Sequence, residues 1–296
     1  MFEINKRDGL ARLGKIKTSH GVLETPTLLP VVNPKILTLS MQELAECGAQ
    51  GIITNSYIIY KNSGLKKKAI AEGIHAMLGW EGPIMTDSGT FQSHVYGEID
   101  MEPDVILDFQ KKMGVDIGTV LDVFTEPGTR FREASKELEE TQKRIEEADQ
   151  NKGDMLLAAP IQGGRHLDLR HKAATAASET NADLFPIGGV VPLMEQNKFQ
   201  RLAEVVFSSK KGLDISRPVH LFGCGHPMLF ALAVFMGCDV FDSSSYAKFA
   251  SRDSLMFTWG SRKLDDLEVL PSEFSAAPGI TINQLKGMES SERQRI

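Results

Sequence analysis

The amino-acid sequence predicts an α/β fold, a parallel (β/α)8 barrel preceded by small antiparallel hairpins. Two patterns and one length carry this. Apolar runs of three to six residues, rich in β-branched types, alternate with amphipathic helical stretches. The alternation repeats eight times along the chain. The 296 residues suit one barrel of about 250 residues with short additions at each end. An open doubly wound sheet is the alternative topology, and eight strands favour closure.

Residues 1–25 carry the turn signals Arg7-Asp8-Gly9 and Ser19-His20-Gly21 between short alternating segments, which predicts hairpins that plug or cap the barrel. Residues 26–260 hold the barrel. Its strand runs are Thr27–Val31, Gly51–Thr54, Pro83–Thr86, Ile117–Leu121, Leu156–Ile161, Leu184–Ile187, Val219–Phe222 and Asp239–Phe241. The intervening stretches read as helices. Ser40 with Glu43 three residues on is a capping box. Pro103–Met113 sets Val105, Ile106, Phe109 and Met113 on one face. Arg132–Asn151 is long and heavily charged, a solvated outer face. Leu167–Thr180 and Met194–Ser208 repeat the pattern, and the nearly all-apolar Pro227–Met236 predicts a well-buried helix. Residues 261–296 form a separate tail.

The ends of the runs point to a site. They are followed by Asn55, Asp87, Asp122, Gln162, Gly188-Gly189, Gly223 and Asp242, so five runs end in a hydrogen-bonding side chain and two in glycine. Any one of these suits a helix cap or a turn. In the TIM-barrel architecture all of them converge on the C-terminal face, where active sites are built.

Composition narrows the function. The net charge is −6, so the total gives no support for a dedicated nucleic-acid-binding domain, although a local patch suffices for one. Cys47, Cys224 and Cys238 form no CxxC pair and are too few for a disulfide framework, which predicts a reducing cytoplasm. The N-terminus is too polar for a signal peptide, and the longest apolar run is too short to span a bilayer. The seven histidines lack HxxxH or HxH spacing, and no dinucleotide, P-loop or GxSxG motif is present. Aspartates without a metal serve as nucleophile, general acid/base or recognition group. Two carboxylates flanking a glycosidic bond support double displacement. A third, with glutamine and glycine amides, suits the adjacent donors and acceptors of a heterocyclic base. The residues therefore point to glycosyl transfer at a sugar–base bond.

The motifs carry a resemblance. Thr86-Asp87-Ser88-Gly89-Thr90-Phe91-Gln92, Asp116-Ile117-Gly118-Thr119-Val120-Leu121-Asp122, Ile161-Gln162-Gly163, Pro186-Ile187-Gly188-Gly189-Val190-Val191-Pro192, His220-Leu221-Phe222-Gly223-Cys224-Gly225-His226-Pro227 and Cys238-Asp239-Val240-Phe241-Asp242-Ser243 occur in that order. Over roughly residues 1–270 the chain resembles the catalytic domain of tRNA-guanine transglycosylases of the archaeal, archaeosine type. The resemblance implies exchange of guanine at position 15 of the tRNA D-arm for 7-cyano-7-deazaguanine (preQ0). It implies Asp242 as the nucleophile on ribose C1′ and Asp87 as general acid/base. It implies Asp122, Ser88, Gln162 and Gly189 as readers of the base edge, Phe91 as a stacking ring, and Val190 and Val191 as walls around the 7-substituent.

The tail departs from that family. Where a CxCxxC zinc motif is expected the chain reads Leu270-Pro271-Ser272-Glu273-Phe274-Ser275-Ala276-Ala277-Pro278, which offers no thiolate. The expectation is a degenerate zinc subdomain, no zinc cofactor, and no PUA domain. Three readings are open: an exchange enzyme acting alone or with a separate RNA-binding, PUA-type chain; base exchange on another nucleic acid; and a non-catalytic barrel subunit in a homo- or hetero-oligomer. The cations Lys66, Lys67, Lys68, Arg130, Arg132, Arg165, Arg252, Arg262 and Lys263 are candidate phosphate contacts, with a solvated surface preferred for Lys66–Lys68.

Overall fold

The computed structural model describes residues 2–90, 101–267, 282–289 and 292. Strands β1 (Phe2–Asp8), β2 (Ala11–Thr18) and β3 (Gly21–Thr25) form a three-stranded antiparallel sheet. Eight further strands build the barrel: β4 (Thr27–Val32), β5 (Ile52–Asn55), β6 (Ile84–Asp87), β7 (Ile117–Thr119), β8 (Leu156–Ala158), β9 (Phe185–Ile187), β10 (Val219–Leu221) and β11 (Val240–Ser243). They pair in the order β8-β7-β6-β5-β4-β11-β10-β9. Parallel bridges Ala158↔Leu184 and Ile161↔Ile187 join the two ends, closing the barrel expected from the sequence. A last hairpin, β12 (Ser254–Phe257) and β13 (Gly260–Lys263), comes after it.

Two cores result. Inside the barrel, Leu29, Ile53, Met85, Ile117, Ala158, Leu184 and Val240 pack together with Ile16 and Leu23 of the hairpin sheet. The antiparallel sheet therefore plugs the barrel floor. Burying each of these two side chains stabilises by about 1.5–3 kcal/mol. Between the strands and the helices lies the larger outer core. The helix Phe131–Asn151 shows why one face suffices: Ala134, Leu138, Thr141, Ile145 and Ala148 are buried at helical spacing, and the charges face outward. The Ser40–Glu43 capping box forms as read.

Three helix readings change. Val105 is 38% exposed; the buried face of Pro103–Met113 is Ile106, Leu107, Phe109, Gln110 and Met113. The stretch Met194–Ser208 is two helices, Val191–Glu195 and Phe199–Gly212. Asn197 separates them at φ 54, a left-handed conformation that asparagine tolerates and that ends a helix. The apolar helix Pro227–Phe235 buries Leu229 and Ala233 but leaves Phe235 69% exposed. Only one stripe of a barrel helix meets the sheet, so uniform hydrophobicity does not bring uniform burial. The expected zinc-type segment at 270–278 lies outside the described residues.

One ion pair ties plug to barrel. Arg12 of β2 is buried and donates from Nε to Asp239 Oδ1 at 3.0 Å, and its Nη2 bonds Asp239 Oδ2. The same guanidinium donates to the carbonyls of Ile215 (2.6 Å) and Arg217 (3.2 Å). Asp239 Oδ2 also accepts from the Val219 amide at 2.8 Å. The pair thus joins the hairpin sheet to the start of β10 and β11. Replacing Arg12 with methionine leaves a buried carboxylate without its cation, and the expected loss is about 3–5 kcal/mol of unfolding free energy, read from the urea midpoint. An unchanged midpoint refutes the latch.

Candidate active site

Parallel register sets the site. Asn55 lies directly opposite Asp87 where β5 and β6 end. Asn55 Oδ1 accepts from the Ile58 amide (2.9 Å) and caps the next helix, while its Nδ2 donates to Asp87 Oδ2 at 3.0 Å. The other Asp87 oxygen accepts from the Gly89 amide at 3.3 Å. Gly89 has φ 100, and a Cβ there would lie 2.4 Å from Tyr57 Cβ, so only glycine fits this turn.

Asp242 ends β11. Its Oδ1 accepts from the Gly223 amide and sits against His220 Nε2, both at 2.8 Å. With Asp242 ionised, Nε2–H is the donor. His220 is fully buried in β10, and its Nδ1 has no protein partner. Both bonds fall on one carboxylate oxygen, which fixes the carboxylate plane.

The third acid comes after β7. Asp122 Oδ2 accepts from Gln162 Nε2 at 2.6 Å. Behind this pair lies Arg170, also fully buried. It donates from Nε to Gly164 O (2.9 Å) and from Nη1 to Ile161 O (2.7 Å) and Gly188 O (2.9 Å), clamping the loops after β8 and β9. Gly189, at φ 66, closes the pocket: a Cβ there would be 2.7 Å from Thr125 O, 3.1 Å from Gln162 Oε1 and 3.4 Å from Arg170 Nη2. Gln162 Oε1 and Arg170 Nη2 are buried without a partner among the described residues. Ser88 is buried, its hydroxyl 3.2 Å from both Thr90 Oγ1 and Val120 O. Val190 is fully buried in the outer core, and Val191 packs beside Gly223.

The acids are not equivalent. Burial drives the Asp87 carboxyl up to about 7; the charges of Asp122 and Asp242 push the same way, and the bonds from Gly89 and Asn55 oppose. Burial also raises Asp122, against hydrogen bonds from Thr90 and Gln162. It lowers the Arg170 guanidinium to about 9. Close to neutrality, then, Asp87 can either give or accept a proton.

The structure brings Asp87, Ser88, Asp122, Gln162, Gly189, Val191 and Asp242 to one face; Phe91 lies outside the described residues. Sequence reasoning missed two members. His220 is a polar residue inside an apolar strand run. Arg170 shares a helix face with the small residues Ala173, Ala174 and Ala177 at spacings of three, four and seven. Each pattern signals a buried polar group.

The segment where the resemblance places a zinc motif, 270–278, lies outside the described residues. Cys224 and Cys238 are buried, and burial pushes the Cys224 thiol up to about 12. At the opposite, floor end, His20 Nδ1 and His75 Nε2 lie 3.0 and 3.1 Å from the two oxygens of Asp116. Their rings stack at 3.6 Å, and Asp116 also accepts the His20 and Ile84 amides, so hydrogen bonds account for this metal-like trio.

A closed barrel that gathers three carboxylates and an incompletely satisfied polar cleft at its strand ends is built as barrel enzymes are. The chain belongs to the family described as queuine tRNA-ribosyltransferase, whose model matches residues 7–275. It is 47% identical over 292 residues to the tRNA-guanine(15) transglycosylase of Thermoplasma acidophilum, covering 99% of this chain and 46% of that protein. The same-named protein of Methanosarcina acetivorans is 45% identical over 293 residues, covering 99% and 60%. That of Picrophilus torridus is 47% identical over 296 residues, covering 100% and 47%. The chain thus spans about half the length of these curated relatives.

The raised Asp87 acid gives a stability prediction. A carboxyl whose folded value lies near 7, against 3.8 for the free group, stabilises the folded state below about pH 4 and loses that stabilisation as pH rises through 7. Asp87→Asn removes the loss. The variant should melt at the same temperature as the parent at pH 4 and higher at pH 8; a gap that does not grow between those values contradicts the assignment.

Proposed function

We propose that the chain exchanges a guanine of tRNA, at position 15 of the D-arm, for preQ0 through a covalent Asp–ribose intermediate. The observation that carries this is the pairing of Asp242, held through one oxygen by His220 and Gly223, with Asp87, poised near neutrality. The Asp242 carboxylate attacks ribose C1′, the C1′–N9 bond breaks, and the electron pair leaves with guanine. Asp87 supplies the proton that neutralises the departing base. When the deazaguanine enters, Asp87 accepts its proton, the base nitrogen attacks C1′, and the ester to Asp242 breaks with retention.

Asp122, Gln162, Ser88 and the Gly189 amide read the base edge in this mechanism. Asp122 and Gln162 supply an acceptor and a donor side by side, and the unpaired Gln162 Oε1 is a second acceptor for it. Phe91 stacks on the ring, and Val191 walls the small neutral pocket that a nitrile suits, with Val190 packed behind it in the outer core. Arg170 holds the reading loops and His220 holds the nucleophile; neither needs to touch the base.

No zinc takes part, and a separate RNA-binding chain of PUA type supplies additional tRNA affinity. Among the described residues no helix is long and apolar enough to cross a membrane, and we place the reaction in the cytoplasm. The reading of a non-catalytic barrel fits less well, because all three acids stand in bonded, closely coupled positions. Base exchange on another nucleic acid would use the same residues.

The test is incorporation of labelled preQ0 into a tRNA transcript, with release of guanine. Transfer of the label to a substrate that lacks the exchangeable guanine refutes the position. A protein–tRNA adduct that survives denaturant is expected, and Asp242→Ala should abolish it and lower exchange by at least about 10³-fold. An intact adduct in that variant removes Asp242 as nucleophile. Elemental analysis of the purified chain should give well under one equivalent of zinc.

A further inference from the structure

Outside the acid cluster, the same face carries a second, oppositely charged cavity of about 640 Å³. Glu126 and Gly128 line it from the loop after β7, Arg165 from the loop after β8, and Leu193, Lys198 and Arg201 from the segments after β9. The loops after β7 and β8 come directly after barrel strands, and Lys198 and Arg201 belong to the start of the second helix after β9, so the cavity opens on the face that holds Asp87, Asp122 and Asp242. It also adjoins the base-reading loops: a Cβ on Gly164 would lie 2.9 Å from Glu126 O, and one on Gly189 would lie 2.7 Å from Thr125 O.

The charge balance there is unusual for this chain. The whole protein carries −6, yet the cavity has three cations against Glu126. Arg201 pairs with Glu204 at 2.6 Å, on an exposed helix face where such a pair is worth little. Among the described residues, Arg165 and Lys198 have no acid within ion-pair distance. Lys198 also precedes the 14-residue helix Phe199–Gly212, whose first amides receive no side-chain cap. Cations from two separate segments and the positive end of a helix meet at one concave wall.

We propose that this cavity is a phosphodiester subsite, which takes the RNA backbone next to the nucleotide whose base enters the acid pocket. The inference rests on the base-exchange reading for the identity of the polyanion. A flipped base must leave its backbone on the rim of the pocket. The base pocket is lined by carboxylates, so by itself it repels a phosphate. A cationic wall one loop away offsets that repulsion and holds the ribose at a fixed height above Asp242. The phosphate contacts carry position and no sequence information. Of the nine cations read from the sequence as phosphate candidates, only Arg165 lines this wall; Lys198 and Arg201 join it from the start of the helix that follows the break at Asn197.

The test uses the full chain, a tRNA transcript and the double variant Arg165→Gln/Lys198→Gln. Both side chains are exposed, so the variant should fold, and circular dichroism checks that it does. Binding of the transcript is titrated over a range of salt, alongside KM for free guanine in the exchange assay. The expected result is tRNA binding weaker by about tenfold, with the slope of log K against log salt smaller by about 1.5 and the guanine KM unchanged. Affinity and slope within twofold of the parent overturn the subsite. Weaker binding with an unchanged slope does so too, since it marks a structural or protein-contact role. If the parent exchanges no base but its tRNA binding still depends on these cations, the base-exchange reading falls and the subsite stands. If the variant exchanges normally at low tRNA, the reverse holds. A parent that binds no RNA sinks both.

Discussion

Parallel pairing decides where each strand of this protein stops, and the rest of the molecule depends on that. Asn55 and Asp87 face each other in register, and Asp242 faces Leu29 one strand beyond the start of the barrel. Once the ends of the sheet are joined at Ala158–Leu184 and Ile161–Ile187, every strand must finish on the same rim. A polar residue placed after an apolar run cannot be left in solvent on some other side. The floor is sealed by the plug of Ile16 and Leu23 and the buried Arg12–Asp239 pair, so the rim is the barrel's open end.

Bringing carboxylates together carries an electrostatic cost, and its distribution is informative. Asp239 meets that cost with a cation at the floor. At the rim, among the described residues, no lysine or arginine pairs with Asp87, Asp122 or Asp242 directly. Asp242 is held by a backbone amide and an imidazole, Asp122 by an amide side chain, and Asp87 by Asn55 and Gly89. Neutral donors steady a carboxylate without cancelling its charge, so the three still repel one another. The repulsion adds to burial at Asp87. One member of the set, Asp87, is thereby kept able to give or accept a proton close to neutrality.

The strands were legible because a buried barrel strand is a short apolar run with a polar terminus, a pattern complete within a few residues. The strand-end acids were legible for the same reason. What the sequence hid were partnerships that depend on register across long separations. His220 and Asp242 are 22 residues apart, and only the pairing of β10 with β11 makes them neighbours. His20 and His75 meet on Asp116 across separations of 96 and 41 residues. Arg170 lies on a helix that reads as amphipathic, and nothing local says that its guanidinium reaches three carbonyls of two other loops. The single helix expected over Met194–Ser208 failed on one residue, because Asn197 takes a left-handed turn that its neighbours do not announce.

The unsatisfied atoms of the cleft tie this architecture to selectivity. A buried polar group without a partner costs about 1–3 kcal/mol. Among the described residues, Gln162 Oε1 and Arg170 Nη2 are in that position, both close beside Gly189. Folding around Arg170 is favoured by its three carbonyl bonds, so the protein can carry the deficit at Nη2. A ligand whose edge offers a donor to Gln162 removes part of that deficit, whereas one with a mismatched edge buries it more deeply. A difference of about 1–3 kcal/mol per mismatched group is roughly a five- to 150-fold preference. The clamp by Arg170 is what preserves the geometry, since it fixes the loop after β8 and the loop after β9 to one rigid plane. The geometry of the cleft is therefore a property of the barrel's packing as much as of the side chains that line it.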